Sequence, residues 1–128
     1  MRLLLDTCTF LWLIGEPRLL SGPASEACTD GENELFLSAA SAWEIAVKHS
    51  RGALMLPEPP LRFVPSQRKA HGIDALPVTE GAALRVNVLP HLHRDPFDRL
   101  LVAQSIEDGL ILVSPDPVIH QDPVRTLW

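Results

Sequence analysis

The sequence predicts an α/β fold, a three-layer arrangement with a central parallel sheet flanked by helices, spanning residues 1–128 as a single domain. Three observations carry that expectation. Short, uninterrupted apolar runs such as Leu3-Leu4-Leu5 and Leu110-Ile111-Leu112-Val113 suit strands buried on both faces, as in a parallel sheet. Segments bounded by helix start and stop signals alternate with those runs. Finally, Asp6 and Asp116 stand at or just past the ends of two runs, where open parallel sheets collect their ligands.

Each element follows from local chemistry. Arg2–Leu5 reads as a strand ending at Asp6, with Thr7 and Thr9 after it, and Phe10–Ile14 as a short helix stopped by Gly15. Ser21 is the N-cap of a second helix that runs to about Asp30-Gly31. Leu35–Ser38 is the second strand. A third helix runs from about Ser41 to Ser50, stopped by Gly52, with Trp43, Ala46 and Val47 at i, i+3 and i+4 as its buried stripe. Pro57, Pro59, Pro60 and Pro65 mark a loop leading into a helix that ends near His71-Gly72, with Pro65 confined to its first turn or a kink. Leu54, Leu56, Leu61, Phe63 and Val64 give this stretch apolar surface to bury, so it is no domain linker. Ala75–Val78 reads as a short third strand, and Thr79 caps a helix to about Val88. A helix over Pro96–Asp108 stops at Gly109, the strand Leu110–Val113 follows, and Val124–Leu127 forms a last edge strand.

Composition narrows the function classes. The chain is 46% hydrophobic, enough for a packed core rather than disorder. No run of 18 apolar residues occurs, and Asp6 interrupts any leader-like start, so a soluble, cytoplasmic protein with no membrane association is expected. Cys8 and Cys28 form no C-x-x-C pair and are expected as reduced thiols, leaving a zinc knuckle without support. The 16 acids and 11 bases give a net charge of −5, which argues against a large non-specific nucleic-acid surface.

The acids are patterned. In His91–Gln104, Asp95 precedes a proline suited to a helix first turn, and Asp98 follows at i+3 on the same face. These two are either an N-cap with a dipole-matched acid or a functional pair. Glu44 is either an exposed i,i+4 partner of Lys48, worth about 0.3–0.5 kcal/mol, or a site acid beside a buried Trp43. Strand ends and the helix starts that follow them meet at one edge of a parallel sheet, so Asp6, Glu44, Asp95, Asp98 and Asp116 converge. Setting those five aside leaves 11 acids against 11 bases, so the excess charge is local. Two carboxylates ~5 Å apart repel by roughly 3 kcal/mol at an effective dielectric of ~20, and such a cluster calls for protons or a hard cation. Oxygen ligands favour Mg²⁺ or Mn²⁺ over zinc, and His91 and His93 are read as solvated loop residues rather than a metal pair.

The blocks L-L-L-D-T, S-A-A-S-A-W-E-I-A-V-K, L-P-H-L-H-R-D-P-F-D-R-L-L-V-A-Q and the terminal strand followed by S-P-D resemble the PIN-domain family. The likeness is closest to its VapC-type toxins from toxin–antitoxin modules, and it covers essentially the whole chain. The resemblance implies a PIN-like fold and a magnesium-dependent endoribonuclease, a homodimer inhibited by a cognate antitoxin. The family's acidic quartet corresponds to Asp6, Glu44, Asp98 and Asp116, with Asp95 sharing or replacing the role of Asp98. A cation held by these acids would activate water and offset charge building on the phosphodiester. In-line attack would then leave a 5′-phosphate and a 3′-hydroxyl, as the family implies. Thr7 or Ser114 would position water or phosphate, while Arg94 and Arg99 either hold RNA phosphates or are surface charges or partners of neighbouring acids. Cys8 stands where many relatives carry His, Ser114 where Thr is usual, and Asp122 where Tyr is frequent.

Two alternatives stay open from the residues. A haloacid-dehalogenase-like phosphatase also begins with a strand ending in Asp, but it wants a second acid two residues on, at the place of Cys8. A catalytically silent binding module would use the acids for structure or for a basic partner peptide.

Overall fold

Leu3, Leu4 and Leu5 are all fully buried, which places the first strand, β1 (Arg2–Leu5), in the middle of the sheet. Leu3 and Leu5 enter one apolar core and Leu4 enters the other, as the two-residue period of a strand demands. The computed structural model describes residues 1–91 and 95–128. Among the described residues, five strands form one parallel sheet in the order β3-β2-β1-β4-β5. The others are β2 (Glu34–Ser38), β3 (Ile73–Leu76), β4 (Ile111–Val113) and β5 (Thr126–Leu127). Leu3 pairs with Leu35 on one side and with Ile111 on the other.

Helices cover both faces, giving the expected three layers. The core around Leu3 and Leu5 takes Phe10 and Leu13 of α1 (Thr7–Gly15), Ala24 of α2 (Gly22–Thr29), and Ile45 of α3 (Ala39–Ser50). Phe63 and Val64 of α4 (Pro60–Ala70) join the same core. The core around Leu4 takes Leu101, Val102 and Ala103 of α6 (Pro96–Asp108), together with Leu89 and Ile119. The short α5 (Glu80–Arg85) packs against α6. Among the described residues no helix is long and apolar enough to cross a membrane.

Helix ends follow the capping chemistry. Ser21 caps α2, Ser38 caps α3 and Thr79 caps α5, each accepting a hydrogen bond from a backbone N–H of the first turn. Gly109 ends α6 in the left-handed region at φ 64°, a conformation open to glycine at little steric cost.

Four local expectations need correction. The first helix begins at Thr7, not Phe10, because Asp6 caps it. The third strand lies at Ile73–Leu76, two residues before the expected Ala75–Val78. The segment from Thr79 to Val88 is α5 followed by a 3₁₀ turn at Val86–Val88. Most consequentially, Trp43 is 63% exposed, and Ala46 is exposed as well. The buried side of α3 instead carries Ala40, Ser41, Glu44 and Ile45, so two polar residues of this helix, Ser41 and Glu44, face inward and its tryptophan outward.

Candidate active site

The carboxyl ends of β1 and β4 are locked together by the residues that carry the site. The Asp6 N–H donates to the Val113 carbonyl at 3.1 Å, and the Thr9 hydroxyl donates to the same carbonyl at 3.1 Å. Asp6 Oδ1 accepts the Thr9 N–H at 2.8 Å, so the first acid is also the N-cap of α1. Burial pushes the Asp6 carboxyl above its ordinary range, opposed by hydrogen bonds from Ser114 and Thr9 and reinforced by the charge of Glu44.

Glu44 is buried on α3 and both of its oxygens are engaged. Oε1 accepts the Thr7 hydroxyl at 2.6 Å, and Oε2 accepts the Lys48 ammonium at 2.7 Å. On α6, Asp95 is the N-cap and accepts the Phe97 N–H at 2.9 Å, while Asp98 lies in the first turn. The Asp98 carboxyl is pushed up to about 7, first by burial and then by the charges of Asp95, Asp6, Glu44 and Asp116. Past β4, the Asp116 N–H donates to Ser114 Oγ at 3.1 Å, and Asp116 Oδ1 accepts the Val118 N–H at 2.9 Å. These local turns aim the last acid back toward the sheet edge.

The structure brings all five predicted carboxylates together on one groove of about 370 Å³. Thr7, Cys8 and Lys48 line it with them. Burial and the surrounding acids, Asp6 foremost, push the Cys8 thiol up to about 12. Ser114 is fully buried behind the groove, hydrogen-bonded to Asp6 and Asp116. Arg99 does not line the groove: its guanidinium donates to the Val86 and Pro90 carbonyls at 2.8 and 2.9 Å, fastening α6 to the preceding turn. His91 is exposed, and Arg94 and His93 lie outside the described residues.

Among the described residues, no group of three or more His, Cys, Asp or Glu side chains stands ready-made around one ion position. Glu44 is occupied by Thr7 and Lys48, and Asp6, Asp95 and Asp116 each lend an oxygen to a backbone N–H. The donor set still fits a hard divalent cation. It is made of carboxylate oxygens, five carboxylates lining the groove against the one ammonium of Lys48. Lys48 and Cys8 are the ionisable groove residues that sequence reasoning had not placed there. The i,i+4 spacing of Lys48 from Glu44 was the available signal, and it reads equally well as an exposed helix pair.

A parallel α/β sheet with acids gathered at its carboxyl edge defines the class, and a family model for the PIN domain matches residues 3–121. The chain belongs to the PIN-domain family. It is similar to Ribonuclease VapC22 of Mycobacterium tuberculosis (strain ATCC 25618 / H37Rv), with 33% identity over 130 residues covering 98% of this chain and 97% of that protein. Ribonuclease VapC16 of the same organism is 40% identical over 65 residues, 48% of this chain and 46% of that protein. Among solved structures, VapBC2 from Rickettsia felis bound to a DNA fragment from its promoter superposes with a TM-score of 0.72 at 12% identity, covering 98% of this chain and 97% of that one. VapBC-1 from nontypeable Haemophilus influenzae superposes with a TM-score of 0.59 at 14% identity, covering 94% and 91%. At those identities the two structures speak to the fold, and it is the one the sequence predicts.

Proposed function

We propose that this chain is a divalent-metal-dependent endoribonuclease, the toxin of a toxin–antitoxin module, acting as one PIN-like domain over residues 1–128. The observation that carries the reading is the convergence of Asp6, Glu44, Asp95, Asp98 and Asp116 on one groove at the sheet's carboxyl edge. The similarity to proteins named as VapC ribonucleases supports the chemistry, and the VapBC structures support an antitoxin partner. A basic antitoxin segment suits the acidic groove, where it would compete with RNA. The family resemblance adds a homodimer, and the composition of the chain a cytoplasmic location.

The five carboxylates would supply the oxygens that hold a divalent ion, Mg²⁺ or Mn²⁺. When bound, it supplies water activation and charge neutralisation at the phosphodiester. The chain's own residues supply the positioning. Thr7 clamps Glu44, and Ser114 orients Asp6 and Asp116 from behind, so three of the acids are held by partners that are themselves buried. In-line displacement leaves a 5′-phosphate and a 3′-hydroxyl. Cys8 occupies the place where a haloacid-dehalogenase-like phosphatase would carry its second acid, so the groove lacks that enzyme's acid pair.

Purified protein incubated with single-stranded RNA tests the proposal. Cleavage should require Mg²⁺ or Mn²⁺, stop with EDTA, and vanish in Asp6→Asn and Asp98→Asn while both variants keep the native circular dichroism spectrum. Undiminished cleavage by either variant, or by the wild type in EDTA, overturns it.

A further inference from the structure

We infer that Lys48 is a substrate-binding residue, its ammonium held at the acidic groove by Glu44 to receive a phosphate of the RNA backbone. This deepens the ribonuclease reading and rests on it. A polyanion entering a groove lined by five carboxylates needs positive charge supplied by the protein as well as by any ion. Among the described residues lining the groove, Lys48 is the sole basic side chain. The other basic candidate on α6, Arg99, is spent on the Val86 and Pro90 carbonyls.

The geometry of the Lys48–Glu44 pair is unlike that of a surface ion pair. The Glu44 side chain is 6% exposed and that of Lys48 is 52% exposed, whereas in Arg18–Glu16 the two are 77% and 55% exposed. The carboxylate is therefore fixed inside while the ammonium remains open to the groove. Thr7 holds the second oxygen of Glu44 at 2.6 Å, so the anchor of the ammonium is itself clamped. An ammonium carries three N–H donors. One goes to Glu44, and among the described residues no other acceptor takes the remaining two. A lysine with one proton tied to a buried carboxylate and two directed elsewhere is pre-positioned for a phosphate oxygen.

The test measures binding of a fluorescein-labelled single-stranded RNA by anisotropy against salt concentration, in an Asp98→Asn background with Mg²⁺ so that the RNA stays intact. Lys48→Met should weaken binding and lower the slope of log K against log salt by about 0.7, the value for one phosphate contact on a single strand. Lys48→Arg should keep the slope. Adding Glu44→Gln separates direct from indirect action: the slope should still fall when Lys48→Met is made in that background. An unchanged slope, or an effect that disappears with Glu44→Gln, overturns the assignment and leaves Lys48 as a neutraliser of Glu44. Wild-type cleavage distinguishes the two readings: intact metal-dependent cleavage with an unchanged slope removes Lys48 alone, whereas absence of both cleavage and binding removes the ribonuclease reading and Lys48 with it.

Discussion

Asp98→Asn removes one charge from the groove at nearly unchanged volume, and it should raise the melting temperature of the metal-free protein at pH 8. Burial and the charges of Asp95, Asp6, Glu44 and Asp116 lift the Asp98 carboxyl from an ordinary 3.8 to about 7. At about 1.4 kcal/mol per pKa unit, ionising this group in the folded chain costs on the order of 4 kcal/mol. The unfolded chain releases the proton near 3.8 while the folded chain keeps it to about 7. The destabilisation is therefore absent at low pH, grows as pH rises between those values, and is complete above the upper one. Asn carries no such penalty. It does forfeit a first-turn helix-dipole contribution of about 0.3–1 kcal/mol. The net gain is about 3 kcal/mol at pH 8, a shift on the order of 10 °C for a domain of this size. Thermal melts followed by circular dichroism in EDTA at pH 8 and pH 5 read it out, with the gap between variant and wild type at pH 5 under about half that at pH 8. Excess Mg²⁺ should stabilise the variant less than the wild type, because one ligand is gone. A lower melting temperature for Asp98→Asn in EDTA at pH 8, or a difference that does not change with pH, refutes the charge-crowding argument.

Two further outcomes follow from contacts at the same groove. Thr7→Val removes the 2.6 Å donor to a buried carboxylate and should cost about 1.5–3 kcal/mol, seen as a lower urea midpoint at unchanged m value; an unchanged midpoint contradicts it. The Cys8 thiol is pushed up to about 12 by burial and the nearby acids and the Cys28 thiol to about 11 by burial, so at pH 8 both stay protonated. Ellman's reagent should then label the native protein orders of magnitude more slowly than free cysteine, and urea should restore the fast rate; rapid native labelling contradicts the elevated values.

Punctuation made some elements legible and its absence hid others. The helix Pro96–Asp108 is bounded in the sequence by Asp95-Pro96 and by Gly109, and it forms with those bounds because cap and stop are both written locally. The third strand carries no such marks: Ile73 follows the Gly72 that ends the preceding turn, while Pro77 and Val78, read as strand, lie beyond its last paired residue. Trp43 misleads for a different reason. Periodicity identifies the helix but not which stripe is buried, and the inward stripe here joins the apolar Ala40 and Ile45 to Glu44, which reaches Thr7. The five acids were legible because parallel topology fixes where strand ends and helix starts meet. Their hydrogen-bond commitments across elements were not, since Thr7 on Glu44 and Ser114 on Asp6 depend on side-chain geometry between separate elements. The buried Gln104, which accepts from Ser38 and donates to the Pro77 carbonyl at 3.2 Å, was invisible for the same reason.

The central place of β1 has a consequence for the order in which the groove comes into being. β1 needs neighbours on both sides, and its second neighbour, β4, is made only after β2 and β3. A nascent chain carrying residues 1–90 can pair β1 with β2 and β2 with β3, yet it leaves one edge of β1 open. Asp6 then has no Val113 carbonyl to lock against, and the aspartates of α6 and of the segment after β4 do not yet exist. Long-range pairing of this kind forms late and slowly. The five carboxylates therefore meet only once the segment after β4 has been made, and a product terminated before Asp95 carries two of them at most, Asp6 and Glu44.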